Sequence, residues 1–238
     1  MTPIYRSAAD ELEARISGWT PGTRVPSEDE LARELGISRL TARAVLQELE
    51  RRWVVRRRQG LGTFAARRID YVISRQMPPS WSESVRRAGR RPSIATTSLQ
   101  LAAAPAEIRR ALRLSSRRRL LLLTRQRYVD NELVGLADSW LDPLVVPDLD
   151  RVLAPEASLH AVLDRHYRLA PVRGWFRVGL DPAPVEVAGR LGHTGRPLVV
   201  AIRSRTDAAA LAHRPVELTI SWLRADVFRV EVELDGGT

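Results

Sequence analysis

The chain has 238 residues, 38 basic against 28 acidic for a formal net charge of +10, no cysteine, and 44% hydrophobic residues. That is room for two domains with real cores, and it excludes disulfides and thiol chemistry. With no apolar run near roughly twenty residues and no signal-peptide pattern, the sequence predicts a cytoplasmic protein without a membrane partner. The charge favours polyanionic partners. Every basic residue is arginine, a bias that a GC-rich genome also produces, so the distribution of charge says more than its total.

Residues 5–17 predict a first helix with Ala8, Leu12 and Ile16 at four-residue spacing, ended by Gly18-Trp19-Thr20-Pro21-Gly22. Ser27-Glu28-Asp29-Glu30 is a capping box: the Ser27 hydroxyl can accept from the third helical N–H while Glu30 reaches back to the cap. Leu31 and Leu35 share a face, and Gly36 can leave the helix in the left-handed conformation. Ser38 can cap again. The helix after it is expected to bury Val45, Leu46, Leu49 and Trp53, leaving Arg39, Thr41 and Arg43 off that face. Two helices joined by such a turn form a helix-turn-helix, whose second helix can lie in the DNA major groove.

Val54-Val55, Arg56-Arg57-Arg58, Gln59-Gly60-Leu61-Gly62 and Thr63-Phe64-Ala65 then read as strand, basic approach, glycine turn and return strand. A tip built on Gly60 and Gly62 lets backbone approach a phosphate or a groove floor. Residues 38–68 carry nine arginines against two glutamates, a stripe suited to salt-dependent binding of a polyanion. Each feature alone fits an ordinary hairpin with solvated arginines. In this order they predict a winged helix-turn-helix.

Pro3-Ile4-Tyr5, Pro21-Gly22-Thr23-Arg24-Val25-Pro26-Ser27-Glu28, Leu31-Ala32, Gly36-Ile37-Ser38-Arg39, Thr41-Ala42-Arg43 and Gln59-Gly60-Leu61-Gly62-Thr63-Phe64 together resemble the amino-terminal signature of the GntR family of bacterial transcription regulators. Two departures, Ala42 for the usual valine and Trp53 where glycine often closes the helix, concern packing. The resemblance implies DNA contacts from Ser27, Ser38, Arg39, Thr41, Arg43, Arg58, Gln59, Gly60, Gly62 and Thr63.

The first domain is expected over residues 1–66 and an interdomain linker over 67–79, where the periodicity breaks down and Met77-Pro78-Pro79 occurs. In the second domain, 80–238, Ser82 is expected to cap a short helix ending at Gly89. Strand-like runs follow at 94–101, 119–129, 133–141, 172–180, 197–206, 216–223 and 227–234, with helices at 105–113, 158–167 and 183–191. The mixture predicts an α+β domain with helices on an antiparallel sheet. Pro105-Ala106-Glu107-Ile108 is echoed by Pro184-Val185-Glu186-Val187. Each is followed by an apolar strand, arginines, and a strand ending Ser139-Trp140-Leu141 or Ser221-Trp222-Leu223. The period, roughly eighty residues, is too long for a solenoid and suggests a duplicated helix–hairpin unit.

The order of these elements, Gly89, Arg125 with Arg127, and Pro215-Val216-Glu217 resemble the UTRA ligand-sensing domain of the HutC subfamily of GntR regulators, a fold similar to chorismate lyase. Arg125 and Arg127 alternate on a strand, so both face one side, about 7 Å apart. Such a pair needs an anion or a carboxylate between its members, and surface acids such as Asp130 or Glu132 would equally serve. The resemblance implies an effector phosphate or carboxylate held by Trp81 and Ser82 through backbone N–H groups and by Arg125 and Arg127. It further implies that Glu217 accepts a hydrogen bond from the ligand body. Ala137 stands where amino-sugar-phosphate sensors usually have glutamate. With Arg68-Ile69-Asp70-Tyr71 this looks more like regulators of phosphonate utilisation, so a phosphonate or phosphate ester is expected first and another small organic acid second.

No enzyme constellation is legible. His160 and His166 lie on different faces of one helix, His193 and His213 are in turns, and none has metal-ligand spacing. Gly60-Leu61-Gly62-Thr63 lacks the lysine and the context of a P-loop. No cofactor is expected. The sequence thus predicts a homodimeric regulator, a repressor as is most usual in the resembled family, which binds a pseudo-palindromic operator in double-stranded DNA under control of a small anionic effector. The rival readings are a non-specific nucleic-acid-binding protein and an enzyme of the chorismate-lyase kind.

Overall fold

A computed structural model describes residues 4–20, 22–58, 60–66, 68–73, 81–115, 118–192 and 195–232. The chain divides into two compact units, Met1–Ile69 and Asp70–Thr238.

The first unit opens with α1 (Ile4–Ile16), α2 (Glu28–Leu35) and α3 (Arg39–Arg51). Ala9, Leu12 and Ile16 of α1 are buried against Leu31 of α2 and Ala42, Val45, Leu46 and Leu49 of α3, while Ala8 sits at the edge of this core. The capping box forms on both sides: Glu30 N–H donates to Ser27 Oγ at 3.3 Å, and Ser27 N–H donates to Glu30 Oε2 at 2.7 Å. Gly36 leaves α2 at φ 63°, where a Cβ is unfavourable. Ser38 Oγ accepts from Thr41 N–H at 3.0 Å and starts α3.

Trp53 departs from expectation. Helix α3 stops at Arg51, and Trp53 turns the chain at φ 62°, half-exposed, with the Arg68 guanidinium 5.9 Å from its ring. It therefore occupies the left-handed conformation for which glycine is the usual choice, and adds nothing to the buried face of α3. Strands β1 (Val55–Arg58) and β2 (Gly62–Ala65) pair antiparallel as the wing, and residues 22–25 run beside β2 through Val25 N–H to Thr63 O at 2.8 Å.

The second unit begins with β3 (Ile69–Ile73), inside the stretch expected to be a linker. It pairs with the last strand, β10 (Phe228–Val232), a partner too distant in sequence for any local signal to reveal. The rest of the expected linker, Arg67 and residues 74–79, lies outside the described residues, as does His193. Helix α4 (Trp81–Arg87) starts two residues earlier than a Ser82 cap requires, so Ser82 lies within its first turn and is not its cap.

Next come β4 (Pro92–Ala102), α5 (Ala106–Ala111), β5 (Leu120–Val129), β6 (Glu132–Leu141), α6 (Leu149–Val152), α7 (Leu159–Arg165), β7 (Pro171–Pro182), α8 (Val185–Arg190), β8 (Leu198–Ala208) and β9 (Arg214–Arg224). Six strands form one antiparallel sheet in the order β4-β5-β6-β9-β8-β7. The duplication is plain in this order: β4-α5-β5-β6 and β7-α8-β8-β9 are mirrored about the β6–β9 pair. Pro105 and Pro184 open their helices at nearly the same angles, φ −52° in both. Ile108 and Leu112 of the α5 region pack with Leu120, Trp140 and Leu218, while Val187 and Leu191 of the α8 region pack with Leu136 and Val199. Helices α6 and α7 bury Leu149, Leu159 and Leu163 against Leu123 and Leu141, on the opposite face.

Candidate nucleic-acid interface and effector site

In the first unit a carboxylate organises the basic surface. Glu28, the first residue of α2, accepts from Arg43 Nε of α3 at 3.0 Å and from Arg57 Nη2 of the wing at 3.4 Å. Arg39 lies 3.1 Å from Asp29 and 3.9 Å from Glu28. The hydrogen bond from Arg43 holds the Glu28 carboxyl below the ordinary range, and Glu28 in turn raises the Arg43 guanidinium. The start of α2, the recognition-type helix and the wing thus meet at one acid. A cavity of about 520 Å³ between them is lined by Arg24, Ser27, Glu28, Arg57, Arg58 and Gly62.

Ser38, Arg39 and Arg43 are exposed in α3's first turns, and Thr41 between the two arginines in sequence is half-buried. Ser38 and Thr41 hydroxyls bond each other at 2.8 Å. Arg58 leans over Phe64, 5.2 Å from its ring, and Gly60 and Gly62 turn the wing tip at φ 74° and 116°. Thr63 is buried, on the cavity floor. Gln59 lies outside the described residues. Leu40, 75% exposed beside Arg39, and Leu61, 65% exposed on the wing tip, add apolar side chains to this surface, and an apolar residue amid so much charge is their signal in the sequence. The arginines of the basic stripe do different things. Arg52 ties α3 to α1 through Asp10, Glu13 at 2.9 Å and Glu48 at 2.8 Å, a structural role.

In the second unit, side chains directly opposite across antiparallel strands share a face. Arg125 opposes Ala137, and Arg127 opposes Gly135. Ala137 opposes Ser221, and Ser139 opposes Thr219. Thr206 opposes Glu217. One sheet face therefore carries Arg125, Arg127, Ser139, Thr206, Glu217 and Thr219. Small residues stand opposite both arginines, and the place of a side chain on Gly135 is taken by Leu223, which a Cβ there would meet at 2.6 Å.

Arg125 is 7% exposed, and its Nε has no hydrogen-bond partner. Arg127 lies 5.6 Å from the ring of Trp81, whose buried Nε1 also lacks an acceptor. Burial lowers both guanidiniums, Arg127 to about 10, where Tyr71 and Glu217 oppose the effect and Arg125 adds to it. A guanidinium is not deprotonated in proteins, so both side chains carry positive charge.

The acids that could have neutralised the pair are engaged elsewhere: Asp130 with Arg90 and with Arg91 N–H at 2.9 Å, and Glu132 with Arg224 at 2.7 Å. Among the described residues neither Arg125 nor Arg127 forms an ion pair. Glu217, the expected acceptor for a ligand, is buried on this face. It accepts from Ser139 at 3.2 Å, Thr206 at 2.9 Å and Thr219 at 2.5 Å, hydroxyls supplied by three adjacent strands. A buried cation, a half-buried one and an orphaned indole N–H thus lie in one region with too few acceptors.

Residues 4–65 match the family described as bacterial regulatory proteins, gntR family, and residues 87–229 match the UTRA domain. The HTH-type transcriptional regulator GgaR of Escherichia coli (strain K12) is 27% identical over 229 residues, 95% of this chain and 89% of that protein. The histidine utilization repressor of Pseudomonas putida is 42% identical over 66 residues, 27% of each chain. In fold, the chain is similar to the crystal structure of PhnF from Mycobacterium smegmatis, with a TM-score of 0.67 at 23% identity, covering 97% of this chain and 100% of that one.

Proposed function

We propose, for a chain that belongs to the UTRA-domain family and is a gntR-type transcriptional regulator, that its first unit reads an operator and its second adjusts that affinity to a small anion. The relatives it matches are regulators and not enzymes. The relative from Pseudomonas putida is named a repressor, and repression is the sign of regulation we assign. Arg39, Thr41 and Arg43 enter the major groove, where arginine suits guanine edges and the exposed Leu40 suits a thymine methyl. Ser27, Ser38 and Arg58 contact phosphates, and the Gly60–Gly62 tip approaches the adjacent groove. One helix-turn-helix covers one half-site, so the working species is a homodimer on a pseudo-palindrome.

The observation that carries the effector reading is the unneutralised pair Arg125 and Arg127 with the orphaned Trp81 N–H. A buried donor without an acceptor costs about 1–3 kcal/mol, more if charged, and an anion removes that cost. A tetrahedral phosphonate or phosphate ester, with several acceptor oxygens, matches two guanidiniums and an N–H better than a single carboxylate does. Backbone N–H groups of Trp81 and Ser82 complete the site. Binding changes operator affinity only by the difference in anion affinity between the DNA-competent conformation and the other.

A thermal-shift series of phosphonates, phosphate esters and carboxylates tests this. A true effector at a hundred times its Kd adds about 2.7 kcal/mol of stability and changes operator affinity. A set of anions that leaves both unchanged defeats the effector reading. Equal affinity for a pseudo-palindromic upstream site and for random duplex would favour the non-specific binder instead.

A further inference from the structure

Strand β7 is an edge of the six-stranded sheet, and its outer side is open. The other edge, β4, is partly covered: Thr96 Oγ1 donates to Pro155 O at 3.0 Å. Strand β7 has no such cover among the described residues, and Arg177, Val178, Leu180 and Asp181 are all exposed, Val178 by 42% and Leu180 by 61%. A long edge with exposed apolar side chains and no interior proline is a template for strand addition unless a partner occupies it.

The backbone fixes which groups are available. Ala183 N–H donates inward to Pro197 O at 2.8 Å. Antiparallel strands alternate, so Asp181, Gly179 and Arg177 also turn their backbone groups toward β8. Val178 and Leu180 turn theirs outward. The order Arg177-Val178-Gly179-Leu180-Asp181 is self-complementary about its central glycine. In an antiparallel pair of two copies with Gly179 opposite Gly179, Val178 faces Leu180 of the other copy, in the positions that exchange N–H and C=O. Arg177 faces Asp181 of the other copy on the far side. Both matches occur twice by symmetry. Asp181 already leans along the strand: a Cβ on Gly179 would meet its Oδ2 at 2.7 Å, so the glycine leaves space for that carboxylate at the two-fold axis.

The geometry points to a second copy of this chain as the occupant of the β7 edge, in the register centred on Gly179, forming a sheet continuous across the dimer. This inference rests on the dimeric reading above and adds its surface, register and charge pairs. Exposed Val185 and Leu198, the latter opposite Pro182 in the sheet, extend the apolar surface at this end.

The experiment uses the full chain with Arg177→Asp and with Asp181→Arg, each checked for native circular dichroism and followed by sedimentation equilibrium. Each reversal sets like charges opposite one another twice, and the dimer dissociation constant should rise about ten-fold or more. Mixed in equal amounts, the two variants restore both opposite-charge pairs, and a heterodimer of near wild-type affinity should form. Folded single variants that dimerise like wild type would overturn the β7 surface and leave the dimeric reading intact. So would weakened variants whose mixture fails to recover. A wild-type chain that stays monomeric at concentrations saturating its operator would overturn both.

Discussion

The arginines of the first unit and the Arg125–Arg127 pair of the second differ in who holds their charge. Arg39, Arg43 and Arg57 lie in water around Glu28 and Asp29, acids that order them and cost little to displace. Arg125 is removed from water and Arg127 half so, beside small residues, and Glu217 on the same face already accepts from hydroxyls. The first arrangement suits a long polyanion gripped in many places and released by salt. The second suits one compact anion and discriminates strongly, because an uncompensated buried charge is expensive. The side chain is the same in both, and burial decides which function it can serve.

The contrast is broken most directly by Arg125→Met. Effector binding, measured by calorimetry, should weaken by about 2–5 kcal/mol as the anion loses a buried charged partner. Stability without effector should hold or rise, since an unpaired buried cation has been removed. If stability instead falls as steeply as binding, Arg125 is part of the fold's own polar network and the comparison fails. The mirror experiment is Arg43→Ala. It should cost about 1–3 kcal/mol of discrimination between operator and random duplex and leave effector affinity untouched.

Two smaller effects sharpen the picture of the first unit. Ser27→Ala removes the cap that holds α2 and Glu28 in place, and should cost about 1 kcal/mol in chemical denaturation. A pH series tests the structural subset of arginines. Arg51 and Arg52 hold the Glu48 carboxyl at about 2, against 4.5 ordinarily. Between those values the unfolded chain binds the extra proton, so Glu48's contribution is complete above about 4.5 and disappears as the pH falls through about 2. Glu48→Gln should flatten the acid limb of the stability curve in that window; an unchanged limb would remove Glu48 from the account.

Much of this was legible in the residues because it is local. The capping box, the Gly36 exit, the second cap at Ser38 and the glycine wing tip each depend on neighbours three or four positions apart. The seven sheet-forming runs of the second unit follow from alternation, and their duplication from matching prolines and tryptophans. What was not legible depends on distance. Strand β3 finds β10 at the other end of the unit, and Glu28 meets Arg43 and Arg57 only after two turns have been made. Trp53 had the hydrophobicity of a core residue, but the chain had to reverse there. The three hydroxyls that cross-strand register sets around Glu217 were likewise out of local reach.

The mirrored halves of the sheet are not equivalent. Where the first half has Arg125 and Arg127, the second has Ser204 and Thr206, counted from the matching prolines; its own arginines, Arg203 and Arg205, fall on the opposite face. The repeated architecture therefore carries a single charged seat. A calorimetric titration should reach its endpoint at one equivalent per chain, and the unused twin offers a ready-made place to engineer a second.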